Sequence, residues 1–145
     1  MVVGKSRGGA GEAPPPLRDT APPDALCCAM ANERTRPIAR RGELPTVESP
    51  AGIFRTTLAY DEQSMLCHFR LTRGARIPMH SHPAAQNGYM ITGKMRMLVG
   101  EASSFDALPG TGWCFASGES HGAEVLEDSE VIECFVPMRP EYLED

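Results

Sequence analysis

His80 and His82 stand two residues apart in the stretch GARIPMHSHPAAQNGYMITG, residues 74–93. On a β-strand, residues i and i+2 project to the same face, so both imidazoles can reach one point. Gln86 follows after Pro83, Ala84 and Ala85, which read as a turn, and it can bring an amide carbonyl oxygen to the same place. Imidazole nitrogen and amide oxygen both ligate divalent cations. Three of four metal ligands would then come from seven consecutive residues. A lone histidine is usually structural or merely exposed; His68 is the example here and is assigned no functional role.

The elements that must position these groups are strands. From residue 53 onward, β signals follow at short intervals: 53–60 (IFRTTLAY), 65–72 (MLCHFRLT), 76–82 (RIPMHSH), 88–92 (GYMIT), 94–100 (KMRMLVG), 113–116 (WCFA), 121–127 (HGAEVLE) and 130–137 (EVIECFVP). Met65, Cys67, Phe69 and Leu71 alternate onto one face of the second. Gly93 lies between two of the strands and predicts a tight hairpin. Pro109-Gly110-Thr111-Gly112 and Ser117-Gly118-Glu119 read as turns. No segment longer than ten residues carries a clean 3.6 period. Many short strands with Gly and Pro turns predict an all-β antiparallel sandwich or small barrel.

Composition splits the chain of 145 residues near residue 50. Eight of the thirteen prolines lie before that point, and all nine aromatic residues lie after it. A Pro-rich segment without aromatics cannot bury enough apolar surface to offset its ordering entropy. Residues 1–50 therefore read as a disordered or extended N-terminal segment, with 1 to about 35 disordered, and residues 51–145 as one folded domain. Met30 is a second candidate start. The net charge of −5 arises in the folded part, where 13 acids face 7 bases. With no basic stripe, nucleic acid is not an expected partner. No apolar run reaches the roughly eighteen residues of a membrane helix, and the N-terminus lacks the apolar core of a secretory signal. Five cysteines, Cys27, Cys28, Cys67, Cys114 and Cys134, form no CxxC pair. Buried, reduced thiols in a cytoplasmic protein explain the last three better than a disulfide frame.

Two glycine-punctuated patterns belong together. The first runs Gly74, five residues, His80, one, His82, three, Gln86, six, Gly93; the second runs Gly110, five, Ala116, one, Gly118, two, His121. Sixteen residues separate them. The pair resembles the two signature motifs of the cupin superfamily, G-x5-H-x-H-x3–4-E-x6-G and G-x5-P-x-G-x2-H. The resemblance implies an antiparallel jelly-roll barrel in which His80, His82 and His121 converge on one metal. Gln86 replaces the usual Glu ligand and Ala116 the usual Pro. Asn87 satisfies the alternative motif spacing and is the weaker candidate. A ligand set of three imidazoles and an amide oxygen suits one divalent transition metal ion, Ni, Zn, Fe, Co or Mn. It is neutral, so the ion keeps its full +2 charge, which favours an anionic small-molecule substrate and strong Lewis acidity.

A narrower resemblance covers residues 54 to 143. The run LAYDEQSMLCHFRLTRGARIPMHSHPAAQNGY and the tail ECFVPMRPEYL are similar to the KdgF family of pectin-degradation cupins. That family carries AYDEQ, HSHPHEQ with Gln as metal ligand, and a DVF-x-PMREDFL tail. The resemblance implies ring-opening and ketonisation of 4,5-unsaturated uronates released by pectate or alginate lyases, and a homodimer. It assigns the metal to His80, His82, Gln86 and His121, and the uronate carboxylate to Arg139, whose planar guanidinium suits bidentate pairing. Phe135 matches an aromatic that lines the site, and Glu133 falls where the family has its acid/base Asp. Glu133 and Phe135 alternate on one strand face, so both can face the interior. Ala84 and Ala85 stand where the family carries polar side chains. Two other readings compete: another small metal cupin enzyme, a dioxygenase or lyase, and a non-catalytic module that binds a small carboxylate.

Overall fold

The computed structural model describes residues 35–143. Residues 1–34, with the candidate start Met30 and the cysteines Cys27 and Cys28, lie outside the described residues. The described chain is built from ten strands: β1 (Val47–Glu48), β2 (Ile53–Tyr60), β3 (Met65–Leu71), β4 (Arg76–His80), β5 (Ala85–Thr92), β6 (Met95–Val99), β7 (Ser103–Ala107), β8 (Gly112–Phe115), β9 (His121–Val125) and β10 (Ser129–Val136). They form two antiparallel sheets, β1-β2-β3-β10-β5-β8 and β4-β9-β6-β7. This is the all-β jelly roll that the sequence predicts. No helix among the described residues is long and apolar enough to cross a membrane.

Alternation builds the core. Met65, Cys67, Phe69 and Leu71 of β3 are all buried, as are Val131, Glu133 and Phe135 of β10. Their neighbours on each strand point to the outer face of the sheet, as a period of two requires. β10 pairs with β3 on one side and β5 on the other, so its inward residues sit in the middle of the larger sheet.

Three expectations change. Gly93 does not close a hairpin: β5 and β6 belong to different sheets, and the chain crosses between them there. Gly93 adopts φ 88°, and a Cβ at that position would strike the Asp128 carbonyl and Ser129 Oγ. The backbone N–H of Lys94 donates to Ser129 Oγ at 3.1 Å, so this crossing is tied to the β9–β10 connection. Strand β7, SSFDA, escapes the sequence signal because its serines and aspartate have low strand preference. It pairs with β6 along its whole length, and Asp106 bridges to Lys94 and Arg96 at 3.1 and 3.0 Å. Finally, only Cys67 of the three cysteines expected to be buried is so; Cys134 is half-buried and Cys114 exposed. Both point away from the core on strands whose alternate residues face it.

Residues 35–50 are extended and lie against the barrel. Arg36 forms an antiparallel bridge with Tyr60, and Thr46 shares a 2.8 Å hydroxyl hydrogen bond with Thr56. A short 3-10 turn, Arg41–Glu43, carries Arg41 across the outer sheet face, where its Nη1 donates to Glu130 Oε1 at 3.1 Å and lies 3.2 Å from His68 Nε2. His68 thus has a structural place on the outer face, away from the histidines of the motif. Burial, and then the Arg41 charge, hold its pKa below the ordinary histidine value.

Candidate metal centre

His80 is the last residue of β4 and His121 the first of β9, and the two are register partners. His82 lies just past the strand end. The expected strand to residue 82 stops at His80 because Pro83 has no N–H to offer a ladder and restricts the residue before it. The two histidines still converge, with ring centroids 5.5 Å apart, and His121 stands 4.5 and 5.0 Å from them. Gln86 enters from the other sheet, near the start of β5, flanked in register by Phe115 on β8 and Phe135 on β10. The site therefore forms where the chain crosses between the sheets.

Each imidazole is fixed through its inner nitrogen. His80 Nδ1 lies 2.9 Å from the Pro78 carbonyl, His82 Nδ1 2.8 Å from that of Ala84, and His121 Nδ1 2.8 Å from that of Glu119. A carbonyl only accepts, so Nδ1 carries the proton and Nε2 presents a lone pair. Metal-ligating histidines are commonly oriented by such contacts. The ring of Phe115 stacks on His121 at 4.4 Å and further fixes its plane. Gln86 Oε1 lies 3.1 Å from His82 Nε2 and 3.2 Å from His121 Nε2. Ligand atoms about 2.0–2.2 Å from one ion stand roughly 3 Å apart, so this spacing fits one divalent cation. The ligand nitrogens of the three histidines lie within 4.8 Å of one another. Burial holds the pKa values of His82 and His121 below the ordinary histidine value; for His82 the charge of Arg139 adds to this. Neutral imidazole is the form that binds metal. Asn87 is exposed on the opposite face of β5 and does not join the group.

Glu133 faces the same cavity from β10 and is only 8% exposed. Its Oε1 accepts a 2.7 Å hydrogen bond from Gln86 Nε2. Burial pushes its pKa up to about 7, against the opposing effects of Gln86, Arg139 and Trp113. Arg139 follows β10. Its Nε donates to Glu141 Oε1 at 2.7 Å, and its guanidinium lies 4.2 Å from the ring centroid of Tyr142 and 5.4 Å from that of Phe135. Phe135 meets His82 edge-on at 5.9 Å. All seven positions singled out in the sequence, His80, His82, Gln86, His121, Glu133, Phe135 and Arg139, thus gather at one end of the barrel. The cavity continues between the sheets past apolar residues that include Phe69, Met97 and Val131.

Three further residues, Tyr142, Arg55 and Trp113, shape the site and escaped the sequence reading. Tyr142 sits on a 3-10 turn, Pro140–Tyr142, that folds back over Phe135 with ring centroids 5.6 Å apart. Arg55 stacks on the same Tyr142 ring at 3.7 Å. Trp113 lies over Gly88, where a Cβ would collide with the indole. The only available signals were the tyrosine of the tail and the fact that the chain has a single tryptophan.

The fold and the histidine triad define a cupin jelly roll with a candidate metal site. Among solved structures, the chain is similar to an RmlC-like cupin from Shewanella frigidimarina NCIMB 400, with a TM-score of 0.71 and 18% identity over 75% of this chain and 98% of that one. It is also similar to KdgF from Halomonas sp., with a TM-score of 0.67 and 28% identity over 72% of this chain and 97% of that one. A third similarity is to a Bacillus subtilis oxalate decarboxylase variant, with a TM-score of 0.61 and 25% identity; it covers 68% of this chain but only 29% of the longer enzyme. Neither the family models nor the curated proteins gave a match.

Proposed function

We propose that the protein is a metal-dependent isomerase that opens the ring of a 4,5-unsaturated monouronate and promotes its conversion to the linear keto form. The observation that carries this reading is the meeting of four neutral ligand atoms with one buried carboxyl and one guanidinium, the carboxyl and guanidinium lining one cavity with His80, Gln86 and His121. The similarity to KdgF at 28% identity supports the substrate class. His80, His82, Gln86 and His121 would hold the ion. A divalent transition metal there supplies Lewis acidity toward a substrate oxygen.

The chain's own residues do the rest. Arg139 binds the carboxylate, and its stacking on Tyr142 limits the orientations open to the guanidinium. Phe135 and Tyr142 form an apolar wall that excludes water and strengthens this pairing. Glu133 takes the proton of the anomeric hydroxyl as the bond between C1 and the ring oxygen breaks. This leaves an aldehyde at C1 and an enolate across C4 and C5, with the charge on the former ring oxygen. Return of a proton to C4 gives the ketone, so the reaction is a net isomerisation without an external acid, base or oxidant. Burial raises the Glu133 pKa above the ordinary carboxylate value, which suits a group that takes and returns a proton.

The test follows the ultraviolet absorbance of the unsaturated bond in a 4,5-unsaturated monouronate. The metal-loaded protein should speed its decay, and His82→Ala and Arg139→Ala should each return the rate to the spontaneous one. Decay at the spontaneous rate with metal-loaded wild-type protein would sink the proposal. Oxygen consumption during turnover would favour the dioxygenase reading instead.

A further inference from the structure

Gln86 has a problem that its own ligand role does not solve. The two ends of its amide are nearly the same size, and only the hydrogen-bonding surroundings decide which faces the histidines. His82 and His121 carry their protons on Nδ1, toward backbone carbonyls. Their Nε2 atoms are acceptors, and by themselves would draw the NH₂ end of Gln86. The structure has the reverse: the carbonyl oxygen faces both lone pairs, at 3.1 and 3.2 Å. Acceptor against acceptor is sensible only around a cation, and some group must hold the amide in that sense.

Glu133 is that group. Its Oε1 receives the Gln86 Nε2–H at 2.7 Å inside the barrel. That oxygen accepts whether or not the carboxyl is ionised, and at 2.7 Å it holds the NH₂ end away from the imidazole lone pairs. Its own position is supported from the side. Glu133 is the register partner of Gly88 on β5, and Gly88 in turn is the partner of Trp113 on β8. A Cβ at Gly88 would meet Cε2, Cζ2 and Nε1 of Trp113, so the indole lies across Gly88 toward β10. Trp113 Nε1 is buried without an acceptor in good bonding geometry, and its dipole acts on the Glu133 carboxyl.

We propose that Glu133 is a positioning residue that locks the Gln86 amide with its oxygen toward the histidine triad, braced by Trp113 across the gap left by Gly88. The inference rests on the metal-centre reading and is independent of the uronate. It also explains why position 86 carries an amide. A glutamate there would set two carboxylates at hydrogen-bond distance, and one of them would have to keep a proton.

The test is metal affinity, measured without substrate. Co²⁺ is the probe, titrated into the full-length protein against a chromophoric chelator, with its visible d–d spectrum as a second readout. Glu133→Met removes the acceptor at similar length and should weaken Co²⁺ binding about 10- to 100-fold. Gln86→Met should weaken it to a similar degree, and the double variant should bind no worse than Gln86→Met alone. Glu133→Gln can still accept through its own oxygen and should stay within about threefold of wild type, with an unchanged spectrum. Should the methionine variant not fold, Glu133→Leu carries the same expectation. Wild-type affinity in a folded Glu133→Met or Glu133→Leu protein would overturn the inference. So would a loss that adds in full to that of Gln86→Met, because Glu133 would then act on the metal without Gln86. A protein that binds Co²⁺ in this pattern yet leaves the uronate untouched would retain the positioning role and lose the proposed substrate.

Discussion

Glu133→Gln in the metal-free protein isolates one buried carboxyl by its effect on stability. Burial lifts Glu133 from 4.5 to about 7. Between those values the folded protein holds a proton that the unfolded chain has released. The contribution to stability is therefore full below about pH 4.5 and is lost as pH rises through about 7. At about 1.4 kcal/mol per pH unit, that rise corresponds to about 3 kcal/mol. His68, His82 and His121 work in the opposite sense. Burial lowers their pKa values, so their contribution is present above about 6.5 and is lost as pH falls. Both proteins share those histidines, and the difference between them removes the histidine part. Urea denaturation of the two proteins, stripped of metal with a chelator, from about pH 4.5 to about pH 8 is the assay. Relative to Glu133→Gln, wild type should lose about 3 kcal/mol across this range. Two profiles that run parallel within about 0.5 kcal/mol would refute the buried-carboxyl reasoning, since surface substitutions already vary by that much.

Gly88→Ala should destabilise the protein by about 1–3 kcal/mol, because the new methyl meets the Trp113 indole in a packed interior; thermal or urea denaturation reads this directly. Arg41→Ala should cost under about 1 kcal/mol, since the Arg41–Glu130 pair is largely exposed, but amide exchange at Arg36 and Tyr60 should quicken while Co²⁺ affinity stays unchanged.

What the sequence made legible was local. His80, His82 and Gln86 lie within seven residues, and a glycine-spaced motif brought in His121. Strand alternation put Glu133 and Phe135 on one face, and the structure buries both. The unread parts depend on which strands become neighbours. Gly93 carries the residue type and positive φ of a hairpin, yet its partner is the distant Ser129, and nothing near Gly93 in the chain encodes that. Trp113 and Gly88 are 25 positions apart and meet only because β5 pairs with β8. Tyr142 reaches the site by a turn of the tail, stacking on arginines from β2 and from the end of β10.

The electrostatics of the centre turn on the same long-range pairing. Read along the chain, replacing a glutamate ligand by Gln86 leaves a neutral ligand set and an ion with its whole charge. In the folded protein a carboxyl stands one hydrogen bond behind that ligand, at 2.7 Å from Gln86 Nε2, contributed from 47 residues away. Negative charge has been moved outward from the ligand shell, and its proton can come and go without a ligand atom changing. A carboxylate ligand would be held ionised by the metal and could not exchange protons near neutral pH. A carboxyl behind an amide escapes that direct hold, and burial raises its pKa while Gln86, Arg139 and Trp113 restrain the rise. Gln86 thus insulates Glu133 from direct coordination while Glu133 orients Gln86, so each residue makes the other's task possible.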